Sequence, residues 1–273
     1  MASSVAALYG LIQVALKGVS LHHRISGTFS HYMTYAGILM QTALGAAAYL
    51  LFRNSKNRWV WAAFLLIITA LALTLTRQAW LGFGVGFLIL LTIRKPVLAA
   101  GFPILVALVF WLSPPAVKER VASLSNLGDA TFKERIIMWQ VGWEMFQDYP
   151  VTGCGFHCLR IVGKDYPGYH ELAVPYHTLH NNIVQIAIDA GTLGVLAWLY
   201  LWLSYFVAAG RKTASKTGSA PRWPILASIG AITAFMVGGL FETNFYDSEV
   251  VMLAYVFMAL PFVETPKETG KQN

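Results

Sequence analysis

The residues of this sequence best suited to chemistry are one histidine and three arginines at the edges of apolar segments. His180 precedes a long apolar run, Arg77 separates two apolar runs, Arg135 lies in a helical pattern and Arg24 lies in a polar segment. Guanidinium groups can hold phosphate oxygens bidentately, and a neutral imidazole can accept a proton from a hydroxyl. The set therefore suits a polyanionic substrate, such as a phosphate or pyrophosphate, together with a general base.

The stretch HTLHNNIVQIAIDAGTLG, residues 177–194, places His180 where an apolar helix is predicted to begin. At helical spacing His180, Gly191 and Gly194 share one stripe, and the glycines are expected to let a neighbouring helix approach closely. A second, polar stripe holds residues four apart: Asn181, Gln185 and Asp189. The helix N-terminus should attract an anion and disfavour the imidazolium form of His180, leaving it able to act as a base.

Each of these residues also has an ordinary structural interpretation. Arg77 could anchor the chain at a membrane interface, Arg135 could carry charge on a surface helix, and Arg24 could be a loop residue. Glu242, which with Asp247 flanks the last predicted external turn, could be a solvated helix end or an acid with a supporting role. Asn181 and His177 are further supporting candidates.

His177 and His180 form an H-x-x-H pair, but no third ligand stands at a spacing typical of zinc, so no metal site is predicted. The sequence contains no Walker motif, GxGxxG or nucleophile elbow, and no cofactor is predicted. Cys154 and Cys158 could form a disulfide outside the membrane.

The composition is that of a polytopic membrane protein. Hydrophobic residues make up 56% of the 273 residues, charged residues only 12%, and the mean hydropathy is +0.56. The formal charge of +7 is therefore interpreted as cytoplasmic Lys and Arg, and nucleic acid is not a predicted partner.

The predicted architecture is a single all-α membrane domain over residues 1–273. Its spans are predicted at 34–52, 58–75, 78–93, 96–112, 181–208, 223–242 and 248–263. The connections at 53–58, 94–95 and 211–222 and the C-terminal tail carry excess positive charge, so the positive-inside rule makes that side cytoplasmic. Residues 113–180 then form a long external loop.

Two segments outside these spans have patterns of their own. Residues 5–19 are apolar but short, so either they cross the membrane in some way or the sequence lacks N-terminal helices. In the long loop, Ile136, Trp139, Trp143 and Phe146 recur at helical spacing. This pattern predicts an amphipathic helix over 131–147 that lies at the membrane surface with its tryptophans among the headgroups.

Four motifs in order resemble the O-antigen ligase / O-antigen polymerase superfamily. HNNIVQIAIDAGTLG resembles its H-N-x9-G-x-x-G signature, and RISGTFSHY resembles its external R-x-S-G-T-F segment. LTLTRQAWLG resembles S-R-G-x-W-L, with Thr76 and Gln78 replacing the usual Ser and Gly. RIIMWQVGWEMFQDYPVTGCGF resembles R-x-x-x-W…P-x-x-G-x-G. Each motif is weak alone, but the set is specific and covers about residues 20–262.

The resemblance implies a GT-C-like helical membrane enzyme with a long external loop. Such proteins take a glycan from undecaprenyl diphosphate at the periplasmic face of the bacterial inner membrane and need neither metal nor nucleotide. Ligases pass it to lipid A-core, polymerases to another repeat unit, and other relatives to protein. By the same resemblance, Arg77 and Arg135 hold the diphosphate and His180 activates the acceptor hydroxyl.

Two other classes of function remain open from the sequence. A transporter or flippase of an anionic lipid-linked glycan should carry charges at mid-span and broken helices in both halves. The unusual polar residues here instead cluster on one predicted side, which favours chemistry at the membrane surface. A truncated, non-catalytic membrane protein is the third alternative, but it gives no reason for the Arg and His set.

Overall fold

The computed structural model describes residues 1–21, 23–53, 56–123, 130–170, 178–214 and 222–263, and over these ranges it contains helices and no strand. The α-helices, in chain order, are α1 (Ala2–Lys17), α2 (Tyr32–Phe52), α3 (Arg58–Leu73), α4 (Arg77–Arg94), α5 (Pro96–Ala100), α6 (Phe102–Leu112), α7 (Pro115–Ala122), α8 (Ala130–Asp148), α9 (Leu159–Val162), α10 (Pro167–His170), α11 (Asn182–Ala214), α12 (Trp223–Gly238) and α13 (Ser248–Ala259). Short 3-10 helices occupy Gly163–Asp165 and Leu260–Phe262. The all-α prediction is confirmed.

Helices α2 and α11, of 21 and 33 residues, are long and apolar enough to cross a membrane. Of the other predicted spans, 78–93 coincides with α4 and the rest coincide with apolar helices of 10–17 residues, so the number of membrane crossings stays a prediction. The segment predicted as one span at 96–112 is divided at Gly101 into α5 and α6. Pro103 has no N–H to donate to Ala99 one turn earlier, and its ring crowds that carbonyl, which explains the interruption.

The centre of the bundle is formed by α2, α4 and α12, which pack against one another. Phe235 of α12 is completely buried there, and Met40 of α2 is 1% exposed. Gly82 and Gly86 of α4 bring its backbone onto α12, since a Cβ would lie 2.6 Å from the Ala234 carbonyl oxygen at the first and 2.7 Å from that of Gly230 at the second. Close backbone packing of this kind is how apolar helices associate where lipid supplies no hydrophobic drive.

A second core lies beneath α8. Its buried face carries Met138, Val141 and Met145, which pack with Leu179 and Ile188. Of the apolar stripe recognised in the sequence, Trp139 and Phe146 also pack against this core, while Trp143 remains 59% exposed. The predicted amphipathic helix therefore exists as α8, while its position at a membrane surface stays a prediction.

Helix α11 is broken at Gly191, whose φ of 63° and ψ of −163° are not helical. The loop at 150–155 supplies the lost hydrogen bonds: the amides of Cys154 and Gly155 donate to the carbonyls of Ile188 and Asp189 at 2.8 and 3.1 Å, and the amide of Thr192 donates to that of Pro150 at 2.9 Å. A Cβ at Gly191 would lie 2.3 Å from the Val151 backbone.

The sequence prediction for Gly191 was therefore right about close approach and wrong about its partner, which is a loop and not a helix. A disulfide joins Cys154 of this loop to Cys158, the possibility that the spacing had left open. The predicted span 181–208 becomes a short helical segment before Gly191 and a longer one after it.

Candidate active site

The site is formed where the start of α11 meets the turn at 239–247. The amide of Asn182 donates to the Gly239 carbonyl at 2.8 Å, and its side-chain Nδ2 donates to Asn244 Oδ1 at 2.7 Å. Asn182 Oδ1 in turn accepts the amide of Phe245 at 3.1 Å. Asn182 is 1% exposed, so this satisfied network holds the two segments in one register.

His180 and Glu242 face each other across this junction. The Nδ1 atom of His180 lies 3.1 Å from both Oε1 and Oε2 of Glu242, and the two side chains are 16% and 17% exposed. A carboxylate accepts at this contact, so Nδ1 carries a proton and the neutral tautomer has its lone pair on Nε2. A neutral imidazole held in this way is a base whose accepting nitrogen and orientation are fixed.

Glu242 is held in its ionised form. Burial acts to raise its pKa, but the hydrogen bond and charge of His180, the charge of Arg135 and the Thr243 amide outweigh it, so the pKa of Glu242 lies below its ordinary value. The sequence left Glu242 as either a solvated helix end or a supporting residue. The contact with His180 makes it a partner of the candidate base.

The N-terminus of α11 is not the anion site that the sequence suggested. Asn181 Oδ1 accepts the amides of Ile183 and Val184 at 2.9 and 3.1 Å, and the Asn182 amide is taken by Gly239. The first-turn amides that would face a phosphate are therefore already paired, because Asn181 caps the helix. Asn181 supports the site by ending the helix and by donating from Nδ2 to the Leu240 carbonyl at 3.0 Å.

Arg77, the first residue of α4, is held at the same end of the bundle. Its Nη1 donates to Ser123 Oγ at 3.1 Å, and the neighbouring Gln78 lies 3.5 Å from Glu242 through Nε2 and Oε2. Arg120 of α7, only 6% exposed, donates from Nε to the Leu75 carbonyl at 3.1 Å and so fixes the turn before Arg77. Arg120 was not recognisable as a candidate from the sequence, since nothing in its spacing distinguishes it from a surface arginine.

A largely apolar groove of about 530 Å³ opens beside these residues, between α4, α6 and α8. Arg77 and Arg135 line it together with Ser123 and Phe241 at the end nearest Glu242. Its walls farther along α4 are apolar: Leu81, Val85 and Leu88. A groove with two guanidinium groups at one end and an apolar wall at the other matches an amphiphile with an anionic head.

The structure does not bring Arg24 into contact with His180. The contacts found for Arg24 are with the Leu21 carbonyl, at 3.2 Å from Nε, and with the Tyr32 ring, 4.6 Å from its guanidinium carbon. His177 lies outside the described residues. Within the described ranges no group of three or more His, Cys, Asp or Glu side chains could hold a metal ion.

Comparison of the sequence with known proteins identifies the family of this chain. The sequence model of the O-antigen ligase family matches residues 62–199, just over half of the chain. The chain belongs to the O-antigen ligase family. The matched range contains Arg77, Arg135 and His180, and it ends before Glu242.

Two curated relatives of this O-antigen ligase family chain come from Rickettsia. A protein of Rickettsia conorii named "Putative polysaccharide ligase" is 26% identical over 65% of this chain and 46% of its own length. One of the same name from Rickettsia felis is 25% identical over 68% of this chain and 48% of its own length. The chain thus spans about half the length of the curated relatives it matches.

Proposed function

We propose that this protein transfers a glycan from undecaprenyl diphosphate to a hydroxyl of lipid A-core, at the periplasmic face of the bacterial inner membrane. The observation that carries the proposal is the groove in which Arg77 and Arg135 stand at the end nearest the His180–Glu242 pair. The family supplies the ligase chemistry, and the groove supports the choice of donor.

The shape of the groove supports a polyprenyl diphosphate as donor. From Arg77 to Leu88 the wall of α4 runs for about 16 Å at the rise of an α-helix, which suits several isoprene units. The diphosphate would lie against Arg77 and Arg135, where guanidinium groups can hold its oxygens bidentately. Arg24, which precedes α2 and does not line the groove, stays a proposed further diphosphate contact.

The transfer needs one base and no redox partner. The acceptor hydroxyl oxygen forms a bond to the anomeric carbon, while the bond from that carbon to the phosphate oxygen breaks and its electron pair leaves with undecaprenyl diphosphate. The hydroxyl proton passes to Nε2 of His180, and Glu242 stabilises the imidazolium that forms. The arginines stabilise the charge that develops on the leaving diphosphate. The proposed reaction uses no metal or nucleotide.

The described site supports the choice of donor more directly than the choice of acceptor. An O-antigen polymerase or a protein O-oligosaccharyltransferase would use the same donor and the same base with a different hydroxyl. A transporter or flippase would need charged groups in the middle of the spans as well as broken helices in both halves. Breaks occur at Gly101 and at Gly191, the second beside Asp189, but Arg77, Glu242 and His180 lie at helix ends or in turns. This placement favours a surface reaction over transport.

The test is transfer from a purified undecaprenyl-diphosphate-linked glycan to lipid A-core by the full chain in detergent or vesicles. His180→Ala should lower turnover by about 10²–10⁴-fold, the range for loss of a general base, while donor binding measured separately stays near wild type. His177→Ala should have a milder effect. Near-normal transfer by His180→Ala would show that the base lies elsewhere.

The acceptor is tested separately, by glycolipid profiles of cells that lack the gene. Loss of all capped lipopolysaccharide supports a ligase, whereas caps of a single repeat unit support a polymerase. Unchanged lipopolysaccharide with loss of a glycosylated protein would support the protein-directed alternative.

A further inference from the structure

Two polar side chains of α11 are buried although no step of the proposed reaction uses them. Gln185 is completely buried and Asp189 is 6% exposed. Gln185 Nε2 donates to Asp189 Oδ2 at 3.1 Å, one helical turn away. Burying an amide and a carboxylate costs free energy unless their hydrogen bonds are made, so the contacts at the two ends of this pair matter.

One end of the pair reaches the residue before His180. Gln185 Oε1 accepts the amide of Leu179 at 2.9 Å, and the Leu179 carbonyl accepts Trp139 Nε1 at 3.1 Å. Leu179 is therefore held on both sides by side chains. His180 follows with a φ of 47°, a left-handed conformation that a non-glycine residue adopts only when its surroundings impose it.

The other end of the pair reaches the turn that carries Glu242. Burial and the neighbouring Asp189 carboxylate raise the pKa of Tyr246, which lies four residues after Glu242 in the same turn. The Asp189 backbone carbonyl accepts the Gly155 amide at 3.1 Å, so the loop at 150–155 is attached at the same point. A single buried carboxylate thus connects the segment of His180 with the segment of Glu242.

We infer that Gln185 and Asp189 are positioning residues, which fix the Leu179–His180 backbone and so hold the imidazole against Glu242. The inference rests on the proposed function, because it assigns the pair a role through His180. It also predicts that the direction of the hydrogen bonds matters: the Gln185 side chain must accept from the Leu179 amide and donate to the Asp189 carboxylate. A pair that only filled space in α11 would not need that direction.

The direction of these two hydrogen bonds provides the experiment. Gln185→Met keeps the length of the side chain and removes both hydrogen bonds, so kcat for glycan transfer should fall about tenfold or more, with the KM for the lipid-linked donor unchanged. The double variant Gln185→Glu with Asp189→Asn reverses the pair. The new carboxylate still accepts from the Leu179 amide, and the new amide at position 189 donates to that carboxylate. This variant should recover kcat to within about threefold of wild type.

A matched control separates positioning from loss of stability. Ser228 hydrogen-bonds Tyr205 in the buried interface of α11 and α12, away from His180. Ser228→Ala should lower the melting temperature without changing kcat. In a His180→Ala background, Gln185→Met should add little further loss, because its effect passes through the imidazole.

The outcomes distinguish this inference from the proposed function. Wild-type kcat in Gln185→Met, an equal loss in the His180→Ala background, or an inactive but folded double variant would each overturn the positioning role and leave His180 as the base. Should Gln185→Met not fold, the folded double variant still decides. Normal turnover by His180→Ala would overturn both the positioning role and the proposed function. The turnover of His180→Ala is therefore measured before any Gln185 variant is made.

Discussion

The Nδ1 atom of His180 lies 3.1 Å from both carboxylate oxygens of Glu242, a contact between residues 62 positions apart in the chain. The contact joins the start of α11 to the turn after α12, and Asn182 and Asn244 hold those two segments together. It also gives His180 a defined tautomer, which a histidine at an unsupported helix start would lack.

Glu242→Gln should therefore lower turnover although it keeps a similar shape. The amide oxygen can still accept from Nδ1, but it carries no negative charge to stabilise the imidazolium that forms in the reaction. We expect kcat to fall by roughly 10², with donor KM little changed. The measurement is the transfer assay on Glu242→Gln, on His180→Ala and on the double variant. An additive loss in the double variant His180→Ala, Glu242→Gln would contradict a role through His180.

The lowered pKa of Glu242 predicts how the stability of the protein depends on pH. Because the folded protein holds the pKa of Glu242 below its ordinary 4.5, the ionised carboxylate contributes stability that is fully present above 4.5 and is lost as pH falls through the folded value. The difference in melting temperature between wild type and Glu242→Gln should be present above about pH 5 and should shrink at lower pH. A difference that widens on acidification would mean that the pKa is raised.

Arg77→Lys should lose most of the transfer activity, because an ammonium cannot hold a diphosphate bidentately or bond Ser123 with the same geometry. The KM for the lipid-linked donor should rise. Arg94→Lys, at the opposite end of α4, is the matched control and should behave as wild type. Full activity of Arg77→Lys at normal expression would exclude the clamp.

Gly191→Ala should destabilise the protein by about 2 kcal/mol or more, since residues other than glycine rarely adopt its φ and ψ. Its Cβ would also lie 2.3 Å from the Val151 backbone. Gly210→Ala changes a glycine of the same helix that has nothing within 4 Å of a Cβ, so it should leave the melting temperature unchanged or raise it. Equal melting temperatures for the two variants would contradict the strained break in α11.

Membrane orientation is tested by labelling single added cysteines. The two native cysteines are bridged, so an added one is the sole free thiol under non-reducing conditions. Lys164→Cys should react with an impermeant reagent from the periplasmic side, and Lys56→Cys should react only after permeabilisation, as the Lys and Arg bias predicts. The reverse pattern would place His180 on the cytoplasmic side and would exclude a reaction with a donor at the periplasmic face.

The sequence by itself determined the helical class, the positions of most helices and the family. Apolar run length and 3.6-residue periodicity are local properties, so α2, α4 and α8 agree with their predicted bounds within a few residues. Arg77, Arg135 and His180 were recognisable because an arginine or histidine beside an apolar run is costly and therefore uncommon.

Only the tertiary structure decided how those residues work together. The choice between the two interpretations of Glu242 depended on a contact with His180, and no local pattern reports a contact across 62 residues. The burial of Gln185, Asp189 and Asn182 likewise depends on partners from other segments. The break at Gly191 is stable because the loop at 150–155 supplies its hydrogen bonds, and the periodicity of α11 alone could not show that loop.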